Sequence, residues 1–228
     1  MKRLAAAIVI AFLLWFVMFS QWTAPHLNFW WAMTFSACVL IALSRSKINN
    51  LPSLLERLRE RLRVGASAGM GELAREWGRG RLLSPLFEAI IIASLLYLLF
   101  WIGDKLSQEL FTFARPQVDS IYQMKDGTPS WLIALLLLFI IGPAEELFWR
   151  GYVQRTLTQR WTANAGFVVT TLIYTAVHLP SMNFMLIMAA FTCGFCWGLL
   201  YRLFPQHFPA IVLSHALWDA AAFVWFPL

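Results

Sequence analysis

Long apolar stretches separated by short polar ones organise this chain. The first runs from Leu4 to Phe19, behind Met1-Lys2-Arg3. The second runs from about Asn28 to Leu43, with Trp30 and Trp31 at its start as interface anchors. A third extends from about Pro85 to Ile102 and carries Glu88 one turn inside, a group expected to snorkel towards the interface. Further runs begin at Trp131, near Asn164, near Met182 and near Pro209. Crossing a bilayer takes roughly 20 apolar residues in a helix. The expected fold is therefore all-α, a multi-pass transmembrane helical bundle of about seven spans.

The first run has the outline of a signal peptide, but Ser20-Gln21-Trp22-Thr23-Ala24-Pro25 is a poor cleavage site, so it reads as a retained first membrane helix. Between the second and third runs, Arg45 to Arg81 holds nine Lys/Arg against four Glu, a local net of +5. Leu51, Leu54, Leu55, Leu58 and Leu62 recur there at helical spacing, with Arg57, Arg59, Arg61 and Arg63 between them. That pattern suits an amphipathic interfacial helix on an anionic membrane surface, and equally a solvated helix packed on the protein's own loops.

Charge then orients the spans. Lys2 and Arg3, the Arg45–Arg81 stretch, Arg150, Arg155, Arg160 and Arg202 all fall on one side of a seven-span arrangement. The other side receives Gly103–Ser130, read as a loop, with Lys105, Arg115 and Lys125 against Asp104, Glu109, Asp119 and Asp126, a net of −1. The positive-inside rule then predicts an integral multi-pass cell membrane protein with its N-terminus in the cytoplasm and its C-terminus outside. No internal repeat, low-complexity segment or linker divides the chain. The organisation read here is a single membrane domain, 1–228, with 1–83 as peripheral N-terminal spans and basic cytoplasmic loop, and 131–226 as the core.

Composition sharpens this picture. Of 228 residues, 60% are hydrophobic and 13% charged, against about 45–50% and about 25% in soluble domains. The net charge of +6 sits in the gaps between apolar runs, which argues for a lipid bilayer and against nucleic acid as the partner. Cys38, Cys193 and Cys196 all lie inside apolar runs, and a lone C-x-x-C offers no complete zinc set; they read as packing residues.

Candidate chemistry gathers in the later spans. Gly142-Pro143-Ala144-Glu145-Glu146-Leu147-Phe148-Trp149-Arg150-Gly151 puts two carboxylates and an arginine in an apolar run, and an ionisable residue there marks a functional site by default. Glu146 and Arg150 have the favourable spacing and order for a helical ion pair. Glu145 points about 100° away and has no partner in its own segment. Gly142-Pro143 is a candidate break in this helix. His178 closes Tyr174-Thr175-Ala176-Val177-His178, while His215 and Asp219 share a helix face four residues apart.

If the fourth helix continues through Leu157 and turns at Trp161-Thr162, Glu145 and His178 both lie ~24 Å from the turn, at one depth. With part of Arg150–Arg160 projecting beyond the lipid, that depth is nearer the cytoplasm. His215, only six residues past Pro209, should lie a turn or two closer still. Gly194 and Gly198 form a small-x-x-x-small face expected to bring spans six and seven together.

The chemistry these residues suit is water activation. Glu145 would take a proton from a water also held by His178, and the water would attack a carbonyl. His215, oriented by Asp219, would stabilise the oxyanion. No Ser or Cys is placed as an evident nucleophile beside a base.

The pattern resembles the family of glutamic-type intramembrane proteases that includes the CAAX prenyl endopeptidases of the Rce type and bacterial bacteriocin-processing relatives (the CPBP, or Abi, family). The resemblance covers roughly Trp131 to Phe226. Glu145, Glu146 and Arg150 match the first motif, Glu-Glu-x-x-x-Arg, and Gly151-Tyr152 suits it. His178 matches the second motif, with Tyr174 where Phe is usual. His215 matches the third, with Asp219 in place of Asn, and an ionised Asp cannot donate to an oxyanion. The resemblance implies Glu145, His178, His215 and Asp219 as catalytic residues and Glu146 and Arg150 as supporting ones. It implies a protein or peptide substrate at the membrane and no cofactor.

Zinc held by Glu145, His178 and His215 is an alternative, although His-Glu-x-x-His is lacking. Other readings of the same residues are a non-catalytic membrane scaffold or bacteriocin-immunity protein, and a proton-coupled transporter. The last is weakened by the lack of a repeat and of a broken-helix pair. No residue pattern encodes a prenyl site.

Overall fold

The structure is a computed structural model that describes residues 1–48 and 85–228. The amphipathic Leu51–Leu62 pattern lies outside the described residues, as does nearly all of the basic loop. Among the described residues the chain is helical with no strand. The helices are α1 (Lys2–Phe19), α2 (Phe29–Ile48), α3 (Pro85–Leu110), α4 (Ala114–Tyr122), α5 (Ser130–Arg160), α6 (Ala163–Ala176), α7 (Phe184–Leu203) and α8 (Pro205–Trp225).

Among the described residues, α1, α3, α5, α7 and α8 are long and apolar enough to cross a membrane. The other two expected spans are shorter. In α2 the apolar part is Phe29–Arg45, and α6 has 14 residues. At 1.5 Å per residue α6 covers about 21 Å, against about 30 Å of hydrocarbon. The protein is an integral membrane protein, and the apolar faces of its helices are turned outward: Phe35, Leu95, Phe139 and Leu172 are all more than half exposed.

Local chemistry sets the ends of these helices. The Thr162 hydroxyl accepts from the Ala165 N–H (3.1 Å), which starts α6 just after the turn at Trp161. Pro180, two residues past His178, cannot extend α6, and a short 3₁₀ turn at Leu179–Ser181 follows. The Asn183 side-chain oxygen accepts from the Leu186 N–H (2.9 Å) and opens α7. Its amide donates to Gln117 O (2.9 Å) and Ser120 Oγ (3.0 Å), tying that end of α7 to α4.

Several expectations need correction. Gly103–Ser130 is not an open loop, because α3 continues to Leu110 and α4 fills much of the rest. Gly142-Pro143 does not break α5. A wide π turn at Leu137–Ile141 stands immediately ahead, and the carbonyl that Pro143 cannot satisfy falls inside it. A second π turn covers Trp149–Gln154. Gly194 and Gly198 do not face α8. A methyl group on Gly194 would meet the Tyr174 ring at 3.0 Å, and one on Gly198 the Phe167 ring at 3.1 Å, so these glycines seat α7 on α6. The close approach to α8 is made by Gly142, where an added methyl would stand 2.8 Å from the Ala216 Cα.

Candidate active site

The contact at Gly142 explains how two distant motifs meet. Because α5 touches the α8 backbone one turn before Glu145, the Glu146 carboxylate reaches His215: Oε1 lies 2.7 Å from His215 Nδ1. The same Oε1 accepts from Arg150 Nη1 at 2.7 Å. Arg150 extends the network to α7, where Nη2 donates to the carbonyls of Cys193 and Gly194, both at 3.3 Å. Its guanidinium also lies over the rings of Tyr174 and Trp197. Glu146, Arg150 and His215 are 0%, 1% and 3% exposed, so this network is sealed within the bundle.

The His215 ring is held by its face and by Nδ1. Its ring stacks on Trp197 with centroids 3.8 Å apart, and the Trp197 N–H donates to Ser214 Oγ (3.1 Å). Its Nε2 is 3.4 Å from Asp219 Oδ2. With a carboxyl group on each ring nitrogen, both contacts are hydrogen bonds only if the ring carries two protons or one carboxyl carries one. The shallow position expected for His215 does not occur, because α8 begins at Pro205, a full turn ahead of Pro209.

Glu145 stands apart from that network. Its Oε2 accepts from the Tyr174 hydroxyl at 2.9 Å, and Glu145 is buried. Tyr174 thus supplies the partner that Glu145 lacks in its own helix. The departure from Phe at this position was visible in the sequence, but its role was not.

His178 follows one turn later, where α6 has stopped. Its Nδ1 is 2.8 Å from the Tyr174 carbonyl, and its Nε2 accepts from the Trp15 indole N–H at 3.3 Å. Both bonds together require a neutral ring with the proton on Nδ1. Trp15 comes from α1, and Phe19 of the same helix packs on the His178 ring. Helix α2 contributes Trp30, whose indole donates to Met124 O (2.9 Å).

Glu145, Tyr174, His178, His215 and Asp219 all line one cavity of about 640 Å³. Its other walls are mainly apolar, from α2, α3, α4 and α7. Asp104 of α3 is also in this wall. Its Oδ2 accepts from Gln108 Nε2 (2.6 Å), while its buried Oδ1 has no partner. Glu146 and Arg150 are not among the lining residues.

Arg150, Gly151, Tyr152, Val153 and Gln154 are all buried in the bundle, and the exposed end of the Arg150–Arg160 stretch is Gln159–Arg160. Non-helical backbone such as that following His178 is tolerated at membrane depth only where protein buries it or where it lines a water-filled cavity.

Comparison with known proteins rests on this same region. Residues 127–221 match the family model described as Rce1-like, type II CAAX prenyl endopeptidase. That stretch, 95 of the 228 residues, is similar to an Rce1-like domain. The match spans every site residue from Glu145 to Asp219 and excludes Trp15, Trp30 and Asp104. No curated protein and no solved structure matches the chain.

The zinc alternative can be tested on the donors themselves. Among the described residues no three His, Cys, Asp or Glu side chains are grouped to hold a metal ion. His178 Nε2 faces an indole N–H and both nitrogens of His215 face carboxylates, so Glu145, His178 and His215 do not converge as a three-ligand set in this arrangement.

Proposed function

We propose that this protein is an intramembrane endopeptidase that hydrolyses a peptide bond of a membrane-associated protein or peptide with water activated by Glu145, without a metal. What supports the reading most is that Glu145, His178, His215 and Asp219 border a single, mostly apolar cavity. A general base must come within hydrogen-bond reach of the proton that it abstracts. Tyr174 holds one Glu145 oxygen and leaves the other for a water in the cavity.

In the proposed cycle, Glu145 accepts a proton from that water while the water oxygen bonds to the peptide carbonyl carbon. The carbonyl oxygen becomes an oxyanion, and the His215 Nε2–H donates to it. This nitrogen is the one free to turn to substrate, since its 3.4 Å contact with Asp219 is longer than the 2.7 Å bond that Nδ1 makes to Glu146. Asp219 orients the ring. Glu145 then passes its proton to the amide nitrogen as the C–N bond breaks. His178 joins Glu145 on the water when the Trp15 indole releases Nε2. The Glu146–Arg150 pair holds α5, α7 and α8 in register.

The test is a proteomic comparison of cells carrying the wild type with cells carrying Glu145→Gln. An uncut membrane precursor that accumulates with the variant, which itself stays folded in the membrane, supports a protease. An unchanged protein profile, with every phenotype retained by the variant, would leave a scaffold.

A further inference from the structure

The two ends of the bundle differ in charge, and the cavity belongs to one of them. At the first end lie Lys2 and Arg3 at the start of α1, Arg45 near the end of α2, Arg155 and Arg160 closing α5, and Arg202 closing α7. At the second end lie the α1–α2 connection, the end of α3, α4, the Leu179–Ser181 turn and the C-terminal Leu228, which donates its N–H to the Tyr122 hydroxyl (2.9 Å). The cations of this second end are engaged locally. Arg115 pairs with Asp119 (2.8 Å), Lys105 lies 3.6 Å from Asp104, and Lys125 sits over the Tyr122 ring.

The cavity is lined at the second end by Phe29, Asp104, Phe111, Tyr122, Phe184 and Leu228, and by no Lys or Arg. Every one of these lies beyond Glu145 as seen from the arginine-rich end. Short loops rich in Lys and Arg stay in the cytoplasm, because moving them across the bilayer is disfavoured.

We infer that the cavity opens on the extracytoplasmic side, so that the substrate is an extracytoplasmic segment: a chain bordering the outer membrane surface, or an apolar peptide lying in the outer leaflet. The apolar walls take the side chains flanking the scissile bond, and a cytoplasmic chain end lies on the wrong side to reach Glu145. The inference rests on the protease reading for the word substrate, but the sidedness of the cavity stands independently of it.

The experiment uses the full chain in the membrane of intact expressing cells. Three single substitutions are compared with the unsubstituted protein, whose three native cysteines set the background. Thr112→Cys lies between α3 and α4 and is exposed, Gln159→Cys lies near the end of α5 and is exposed, and Ser107→Cys lines the cavity. A membrane-impermeant maleimide should label Thr112→Cys in intact cells and Gln159→Cys only after permeabilisation. A small charged thiol reagent added outside should modify Ser107→Cys, and the same reagent confined to the cytoplasmic side should not.

Labelling of Gln159→Cys but not Thr112→Cys in intact cells would overturn the inference. So would modification of Ser107→Cys from the cytoplasmic side alone. Labelling is read without any cleavage assay, so a failure here is distinct from a failure of Glu145→Gln to accumulate precursor.

Discussion

Glu145 and Glu146 are neighbours in sequence, yet the bundle treats them in opposite ways. Glu146 shares one oxygen between Arg150 and His215 inside a network that reaches α5, α7 and α8 and leaves no room for substrate. Glu145, turned about 100° around the helix, meets one neutral hydroxyl and a cavity. A buried carboxylate matched by an arginine and an imidazole is fixed in place, while one matched by a single phenol keeps an oxygen free for a reactant. Adjacent residues of one chemical type acquire different work from the helices that they face.

The comparison can be broken in several ways. The largest effect is expected at Glu145→Gln, which keeps the shape and the Tyr174 contact but removes the base. Turnover of an identified substrate should fall by roughly 10²–10⁴-fold, with unchanged thermal stability in detergent.

Arg150→Ala should do the reverse and act on the fold. Removing one partner of a buried ion pair strands the other and costs about 3–5 kcal/mol, seen as lower yield and a lower unfolding temperature. Arg150→Lys restores the charge but not the fork that reaches Glu146 and two α7 carbonyls at once, so it should recover only part of that stability. If Arg150→Ala instead left stability intact while abolishing cleavage, the division between a structural and a reactive carboxylate would fail.

The smallest effect is expected at Trp15→Phe. It removes the indole N–H from His178 Nε2, a bond worth about 0.5–1.5 kcal/mol, while the ring contacts with Trp149 and His178 are largely kept. If His178 holds the water, freeing its nitrogen should leave turnover unchanged or raise it a few-fold by kinetic assay. A large loss would show that the indole itself is needed.

Much of the fold could be read from the chain because its punctuation is chemical. Apolar runs of membrane length, the Trp161-Thr162 turn and the run beginning near Met182 lie close to where the helices begin and end. The Glu146–Arg150 pair was legible from its spacing alone, since both residues lie on one helix. Contacts between distant helices were not. Trp15 and His178 are 163 residues apart, and nothing local to either announces the other.

The small-residue pair Gly194 and Gly198 defined a face correctly but not its partner, since such a pattern records closeness without saying to what. Nor did the polar residues from Arg150 to Gln154 announce their partners, which are carbonyls of α7: Gln154 donates to Gly198 O at 2.8 Å and Arg150 to Cys193 and Gly194.

The brevity of α6 bears on a supply problem that any hydrolytic reaction in lipid must solve. Each cleavage consumes one molecule of water, and the hydrocarbon interior holds almost none. The helix ends at Ala176, two residues before His178, and the backbone beyond it is a short 3₁₀ turn. Non-helical backbone at membrane depth is at home beside a water-filled cavity, and His178 lines the cavity that would hold the reactant.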